Sequence, residues 1–284
     1  MRVVVTGAAG KLGPYVVEAA GRRGWTVQGW GRSELDLLDP EAVQRRLDAF
    51  RPDAVIHTAA MSTVSDCYRN PPAAWAVNVD AAARLATYCP RFVHLSTDMV
   101  FDGEGAPYVE SSAPSPVTTY GRSKVASEAA VLAANPAALV ARMALMCGWS
   151  RSRRRSFFDT TMETLSAGGS IEAFADEWRS PLDYSDAAWA LCGLLEAQAT
   201  GIVHLAGPER LSRFDMARRL ARIVGVPEDR VQPISRRDVP FDEPRQRDLS
   251  MRSERLGKLL PEFTSGAFDR GLADIDRPST LLLP

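Results

Sequence analysis

The sequence predicts an α/β protein, a doubly wound parallel sheet with a smaller C-terminal lobe, and three observations carry that expectation. Short apolar runs alternate with helical patterns from the first residues to about Met143, as strands joined by crossover helices do. A glycine-rich turn, Gly7, Gly10 and Gly13, follows the first run and opens the first helical stretch. Beyond Met143 the alternation breaks, and 284 residues at 45% hydrophobic content are enough for one large domain with a lobe attached.

The predicted strands are Val3–Thr6, Thr26–Trp30, Ala54–Thr58, Phe92–Ser96 and Leu139–Met143, with Ile202–Leu205 as a later addition. Helical stretches fall near Leu12–Arg23, Glu41–Phe50, Pro72–Tyr88 and Tyr120–Ala134. Parallel strands need crossovers of about a dozen residues, and these spacings supply them. From Gly148 to Ser180 the chain carries a basic run, Arg151 to Arg155, and a helical stretch ending at Gly168-Gly169. From Pro208 onward short helices mix with turns at Pro227, Pro233, Pro240 and Pro244. The expected division is a dinucleotide-binding domain, 1–147, its sheet completed by about 181–206, and a substrate lobe within 148–284, mainly 148–180 and 207–284. Such a lobe would close over the C-terminal ends of the strands, where open α/β sheets bind ligands.

Bulk properties remove other classes. A net charge of -1 exerts no long-range pull on nucleic acid or anionic lipid, so neither is an expected partner. No apolar run approaches the ~20 residues of a membrane span, and no secretory leader is visible, so the expected location is the cytoplasm. Cys67, Cys89, Cys147 and Cys192 are scattered, without CxxC spacing or a Cys/His cluster; unpaired thiols and no metal are expected. His57, His94 and His204 fall in or at the ends of predicted strands, where packing or hydrogen bonding is expected of them. A homodimer is left open.

The glycines have the spacing GxxGxxG between a strand and a helix, a Rossmann-type dinucleotide clamp. Gly7 allows the tight turn, Gly10 a close approach by a pyrophosphate, and Gly13 close packing of helix on strand. The helix N-terminus offers free N–H groups and partial positive charge to the phosphates. Ala9, Lys11 and Leu12 of the same turn join these glycines as expected cofactor contacts. After the second strand an acid would bind the ribose of NAD and an arginine would take the 2′-phosphate of NADP. The stretch Gly29-Trp30-Gly31-Arg32-Ser33 offers Arg32, with Lys11 as a second cation, so NADPH is expected and NADH is the alternative. Asp36 is expected near the adenine.

Tyr120 and Lys124 stand four apart at the start of a predicted helix and share one face. A carbonyl reductase must protonate oxygen as hydride reaches carbon, and a phenol of pKa ~10 exchanges poorly near neutrality. An adjacent ammonium is expected to lower that pKa, and could also bond the nicotinamide ribose. Thr97, past the fourth strand, would orient the substrate oxygen.

These residues resemble the extended short-chain dehydrogenase/reductase superfamily, and more narrowly its dTDP-4-dehydrorhamnose reductase group. The resemblance rests on TGAAGKLG, RPDAVIHTAA from Arg51, Asn78 in AVNVDAA, LSTDMVFDG from Leu95, YGRSK from Tyr120 and DEWRSPLDYSDAA from Asp176. It implies reduction of a 4-keto group on a nucleotide-activated deoxysugar with NADPH or NADH. Thr97, Tyr120 and Lys124 match the group's catalytic trio, Asp98 and Asp102 its acidic positions beside the substrate, and Ala59 and Ala60 the small residues along the nicotinamide path. Two positions depart from the pattern: Leu145 stands where such reductases commonly carry tryptophan, and Ser156 where they carry asparagine. Both are expected to shape the pocket. Arg179 and Arg245 are placed to reach a diphosphate. Trp149, Trp178 and Trp189 are candidates for base stacking or core, with Trp189 expected in the core. Two other readings stay open: an epimerase that keeps NAD bound, and a non-catalytic subunit like the regulatory one of methionine adenosyltransferase.

Overall fold

The structure is a computed structural model that describes residues 1–152 and 154–269. In chain order its strands are β1 (Arg2–Thr6), β2 (Thr26–Trp30), β3 (Ala54–His57), β4 (Arg91–Thr97), β5 (Leu139–Met143), β6 (Met146–Cys147), β7 (Ile171–Phe174), β8 (Trp178–Arg179), β9 (Leu182–Asp183), β10 (Gly201–Leu205), β11 (Leu211–Ser212) and β12 (Val231–Ile234). Six of them form one parallel sheet in the order β10-β5-β4-β3-β1-β2. β1 pairs with β2 on one side and β3 on the other, so the winding reverses there and a crevice opens at the strands' C-terminal ends. The fold is Rossmann-like, as expected.

The helices are α1 (Gly13–Arg22), α2 (Pro40–Phe50), α3 (Val64–Arg69), α4 (Pro71–Trp75), α5 (Ala81–Tyr88), α6 (Thr119–Ala134), α7 (Phe157–Ser166), α8 (Tyr184–Glu196), α9 (Arg213–Val224) and α10 (Leu256–Leu259). Val3 and Val5 face α1 and α8 on one side of the sheet; Val4 and Val55 face α2, α5 and α6 on the other. Burial on both faces explains why these strands read as continuous apolar runs. The predicted helix Pro72–Tyr88 is interrupted by a π-helical turn, Ala76–Asp80, which points Asn78 inward. Its amide holds Met61 N at 2.8 Å, Met61 O at 3.1 Å and Ser123 Oγ at 2.9 Å, tying the loop after β3 to α6.

A further hydrophobic cluster joins α7, α9, β7 and β12 through Phe158, Met162, Leu165, Leu220 and Val231. Both helices begin with capping boxes, Ser156 with Asp159 and Ser212 with Asp215. Arg153 of the basic run, and residues 270–284 of the expected lobe, lie outside the described residues. Among those described, no helix is long and apolar enough to cross a membrane. The four cysteines are buried free thiols. His57, His94 and His204 are buried in β3, β4 and β10.

Candidate active site

The glycine turn sits at the mouth of the crevice. Gly7 has φ +68, and a Cβ on it would lie 2.7 Å from Ala59 N, so the turn packs directly against the end of β3. A Cβ on Gly13 would lie 2.3 Å from Gly7 O and 2.6 Å from Ala8 Cα. α1 has no side-chain cap and no acid in its first turn; Pro14 lacks an N–H and Tyr15 N and Val16 N bond to Leu12 O, so Gly13 N is the N–H of its first turn left to an anion. This cradle, with no room for a side chain at Gly7 or Gly13, fits a dinucleotide pyrophosphate. Ala9 and Gly10 are exposed along it, and Ala59 and Ala60 are half-buried beside it. Leu12 is 4% exposed and packs into the core, leaving only its backbone to face a ligand.

Arg32 is exposed just past β2. Asp36, also exposed, takes Leu38 N at 3.0 Å. Glu34, which the sequence reading passed over, turns its carboxylate back onto Gly31 N at the same strand end. Lys11 is half-buried, and burial lowers its pKa, with Asp159 opposing and Arg154 adding to the fall. Its charged neighbours thus belong to the segment at α7.

The second set of residues assembles where α6 meets the end of β4. Thr118 caps α6 through Gly121 N at 3.0 Å. A Cβ on Gly121 would lie 2.3 Å from Met99 O, so only glycine lets the helix start press against the loop after β4. That approach brings Tyr120 beside Thr97. Thr97 Oγ1 also donates to Asp98 Oδ1 at 3.1 Å and accepts from Met99 N at 3.2 Å. Tyr120 packs on Cys67, Met61, Val64 and Met99.

One expectation changes sign. Burial pushes the Tyr120 phenol well above its ordinary value, the Asp98 charge adds to the rise, and the neighbouring Thr97 hydroxyl opposes it. Lys124 is buried too, with Nζ 3.2 Å from His94 Nε2 of β4. Burial draws its pKa down to about 8 against the pull of Glu128 and Cys67. The ammonium is itself desolvated and engaged with β4, and the phenol stays protonated, as a proton donor must be at the start of a reduction.

Beside this set lies a cavity of about 400 Å³ between the loop after β4 and segments that follow β5. Asp98, Leu145, Arg179 and Arg245, four of the residues singled out in the sequence, line it. Two residues not singled out there organise the cavity. Glu177, fully buried, holds Arg179 Nη2 at 3.1 Å, Arg213 Nε at 3.1 Å and Arg245 Nη2 at 3.2 Å. Burial alone would raise the Glu177 pKa, but Arg179, Arg213 and Arg245 outweigh it and hold it at about 2. Arg213 Nη1 is buried without a hydrogen-bond partner among the described residues. Three guanidiniums share this one carboxylate, and although Asp98, Asp242 and Glu243 also line the cavity, the planar guanidinium forks suit the oxygens of a phosphate-bearing ligand. Asp98 approaches Arg179 at 3.8 Å; burial raises its pKa and Arg179 opposes the rise. Glu243 closes the other wall, taking Thr119 N at 2.6 Å and Thr119 Oγ1 at 2.7 Å. The capping box that fixes Arg213 at the start of α9 was a readable signal for it; Glu177 lies within the DEWRS segment, but nothing in that segment showed which arginines it would gather.

Other expectations are corrected. Asp102 does not line the cavity: its carboxylate takes Tyr108 Oη at 2.7 Å and Glu104 N at 3.0 Å, stiffening the loop after β4. Ser156 caps α7 through Asp159 N at 3.1 Å and is not a pocket residue. Trp189 is 41% exposed, stacked on Phe263 at 5.3 Å, and not in the core. Trp149 packs edge-on to Phe158, and Trp178 lies under Arg210, so none of the three reaches the cavity. Phe241 and Tyr68 are the exposed aromatics that line it. Arg151 and Arg155 are held by Glu18 and Glu163.

A glycine turn at a switch point, with a Thr, Tyr and Lys set beside it, is the arrangement of the extended short-chain dehydrogenase/reductase class. Within that class, residues 1–274 match the RmlD substrate binding domain family, and the chain belongs to it. It is 36% identical over 273 residues to a dTDP-4-dehydrorhamnose reductase of Mycobacterium tuberculosis, covering 92% of this chain and 88% of that one. It is 28% identical to methionine adenosyltransferase 2 subunit beta of Danio rerio, covering 96% and 89%. The fold superposes with a TM-score of 0.86 on dTDP-4-dehydrorhamnose reductase from Bacillus anthracis in complex with NADP, at 24% identity, covering 96% and 97% of the two chains.

Proposed function

We propose that this protein is an NADPH-dependent reductase of a keto-sugar nucleotide, most like dTDP-4-dehydrorhamnose reductase, turning a 4-keto group into a 4-hydroxyl. The observation that carries the reading is the meeting of Thr97, Asp98 and Tyr120 beside a cavity walled by Arg179 and Arg245. The relatives named for this reaction support it. When bound, the reduced nicotinamide supplies the hydride; Gly7, Gly10, Gly13 and the α1 N-terminus would hold its pyrophosphate, and Arg32 the 2′-phosphate that distinguishes NADPH from NADH. Thr97 orients the substrate carbonyl, Tyr120 donates the proton to its oxygen, and Lys124 supports Tyr120. Asp98 accepts from a sugar hydroxyl, and Arg179 and Arg245 take the diphosphate. The described residues of segments 148–180 and 207–284 form the substrate lobe in this reading.

The test is consumption of NADPH with dTDP-4-dehydrorhamnose and related keto-sugar nucleotides. Tyr120→Phe is expected to lower kcat by about 10²–10⁴-fold while NADPH affinity stays; undiminished turnover removes Tyr120 from the mechanism. The similarity to a methionine adenosyltransferase beta subunit favours a second reading, a cofactor-binding subunit without turnover. Tight NADPH binding with no turnover on a keto-sugar panel would support that instead.

A further inference from the structure

Lys124 has an uncommon setting for an ammonium. The chain has three lysines, Lys11, Lys124 and Lys258, and Lys124 is 1% exposed. Among the described residues its Nζ hydrogen-bonds to His94 Nε2, an imidazole and not a carboxylate. Glu128, one turn along the same helix, is taken by Arg142 Nη2 at 2.8 Å and by Ser96. His94 is itself fully buried and stacked on His57, centroids 5.6 Å apart at 18°. His57 Nδ1 is fixed by Thr6 Oγ1 at 2.7 Å. Nothing in the assigned reaction uses either imidazole.

The protons around His94 Nε2 can be counted. Ser127 Oγ lies 2.9 Å from it and also donates to Lys124 O at 2.8 Å. A hydroxyl has one proton. With that proton on the Lys124 carbonyl, Ser127 can only accept from His94 Nε2–H, and Nε2 then has no lone pair for an ammonium. With Nε2 unprotonated, its one lone pair takes the Lys124 ammonium while Ser127 keeps its proton on Lys124 O, and the ring proton sits on Nδ1, which is buried without a partner among the described residues. The first arrangement suits a neutral amine at Lys124, the second an ammonium. The ammonium, which has no lone pair, fits only an accepting Nε2; the neutral amine can also accept from Nε2–H, the tautomer that leaves no unpaired proton on Nδ1, which has no partner among the described residues.

We propose that His94 is a positioning residue of the proton-donor pair: its Nε2 holds the Lys124 amine in place and changes between acceptor and donor as that amine gains or loses a proton. The inference rests on the reductase reading of Tyr120 and Lys124. The titratable and charged groups around the amine are Tyr120 and Glu128 on α6, His57 on β3, His94 on β4, Cys67 on α3 and Asp98 beyond β4. Neither histidine competes for the charge, because burial, and then the Lys124 charge, keep both imidazoles neutral through the physiological range.

The test is NMR on the whole protein, labelled with 15N at lysine Nζ and at the histidine rings; three lysines and three histidines keep the spectra assignable. In the wild type the ring-nitrogen shifts of His94 should pass from the Nδ1–H to the Nε2–H pattern with the same midpoint as Lys124. His94 shifts that stay constant through the Lys124 titration overturn the proposal without any variant. His94→Phe removes both ring nitrogens, so the ammonium loses its acceptor and its midpoint should fall by about one pH unit. His94→Gln, which returns an acceptor, should recover it. The alkaline limb of kcat/KM should move down by the same unit, costing about tenfold in rate above that limb. An unchanged limb and midpoint in a folded His94→Phe protein would reduce His94 to packing alone. Absence of wild-type turnover sinks the reductase reading instead, and the linked titrations still report on the contact.

Discussion

At the scale of single residues, burial and partner decide what each candidate can do. Arg179 and Arg245 stand out in the sequence as arginines near Pro turns; the capping box marks Arg213 at the start of α9, but only the fold carries it onto Glu177. Loss of one charged contact to a phosphate costs about 1.5–3 kcal/mol. Arg213→Ala and Arg245→Ala are therefore each expected to raise KM for the nucleotide sugar by about 10–100-fold in steady-state assays, with a smaller effect on kcat. The same values for variant and wild type would remove these side chains from substrate binding. At Gly13 a methyl group would meet Gly7 O at 2.3 Å, and the obstacle is backbone. Gly13→Ala is expected to abolish measurable NADPH binding by fluorescence titration and to lower the melting temperature. Arg32→Ala should weaken NADPH by roughly tenfold and leave NADH affinity unchanged; equal loss for both cofactors would contradict the 2′-phosphate assignment.

At the scale of elements, α6 shows both the reach and the limit of pattern reading. Its position and span follow from helix-compatible residues between two strands, and the expected Tyr120–Ala134 matches the observed Thr119–Ala134. Its buried face is polar, however: Tyr120, Ser123, Lys124, Ser127 and Glu128 all point inward. An apolar-periodicity argument cannot see such a face, because the partners that make its burial tolerable come from other strands. Chief among them is Arg142 of β5, 2% exposed, which grips Glu128 at 2.8–3.2 Å. Breaking a buried ion pair by deleting one partner leaves an uncompensated charge. Arg142→Met is expected to destabilise the fold by about 3–5 kcal/mol in urea unfolding, and a change below ~1 kcal/mol would mean that water or another group satisfies Glu128. Asp102 and Ser156 illustrate the converse. Their residue types suited a pocket, but local turns claimed them first, as short polar side chains near their own backbone often do.

At the scale of the whole molecule, buried neutral histidines set a pH dependence. Burial lowers His57 to about 3 and His204 to about 4, and His94 also falls, so each binds fewer protons folded than unfolded. Stability then rises with pH wherever the unfolded chain is the more protonated. For His57 and His204 that window runs from their folded values up to the ordinary value of 6.5. Above it their contribution is constant; within it each group is expected to remove about 1.4 kcal/mol per pH unit as the pH falls, and below it the loss is complete. Glu177, held at about 2, loses its stabilising charge in the same direction below about 4.5. Urea unfolding at pH 7 and pH 5 should show the native state weaker at pH 5 by a few kcal/mol; equal stability would require the imidazoles to be hydrated or paired.

By itself the sequence determined the alternation of strands and helices, the glycine turn, and the residue types of a proton-donor set, because these are local patterns or short spacings. Strand order, the crevice at β1 and β3, and the grouping of Arg179, Arg213 and Arg245 on Glu177 were decided only by tertiary structure. The same is true of the sign of the Tyr120 shift and of the imidazole beside Lys124. The physical reason is that desolvation and charge pairing depend on which distant residues fill the surrounding few ångströms. No spacing along the chain encodes that neighbourhood until the sheet brings its strands together.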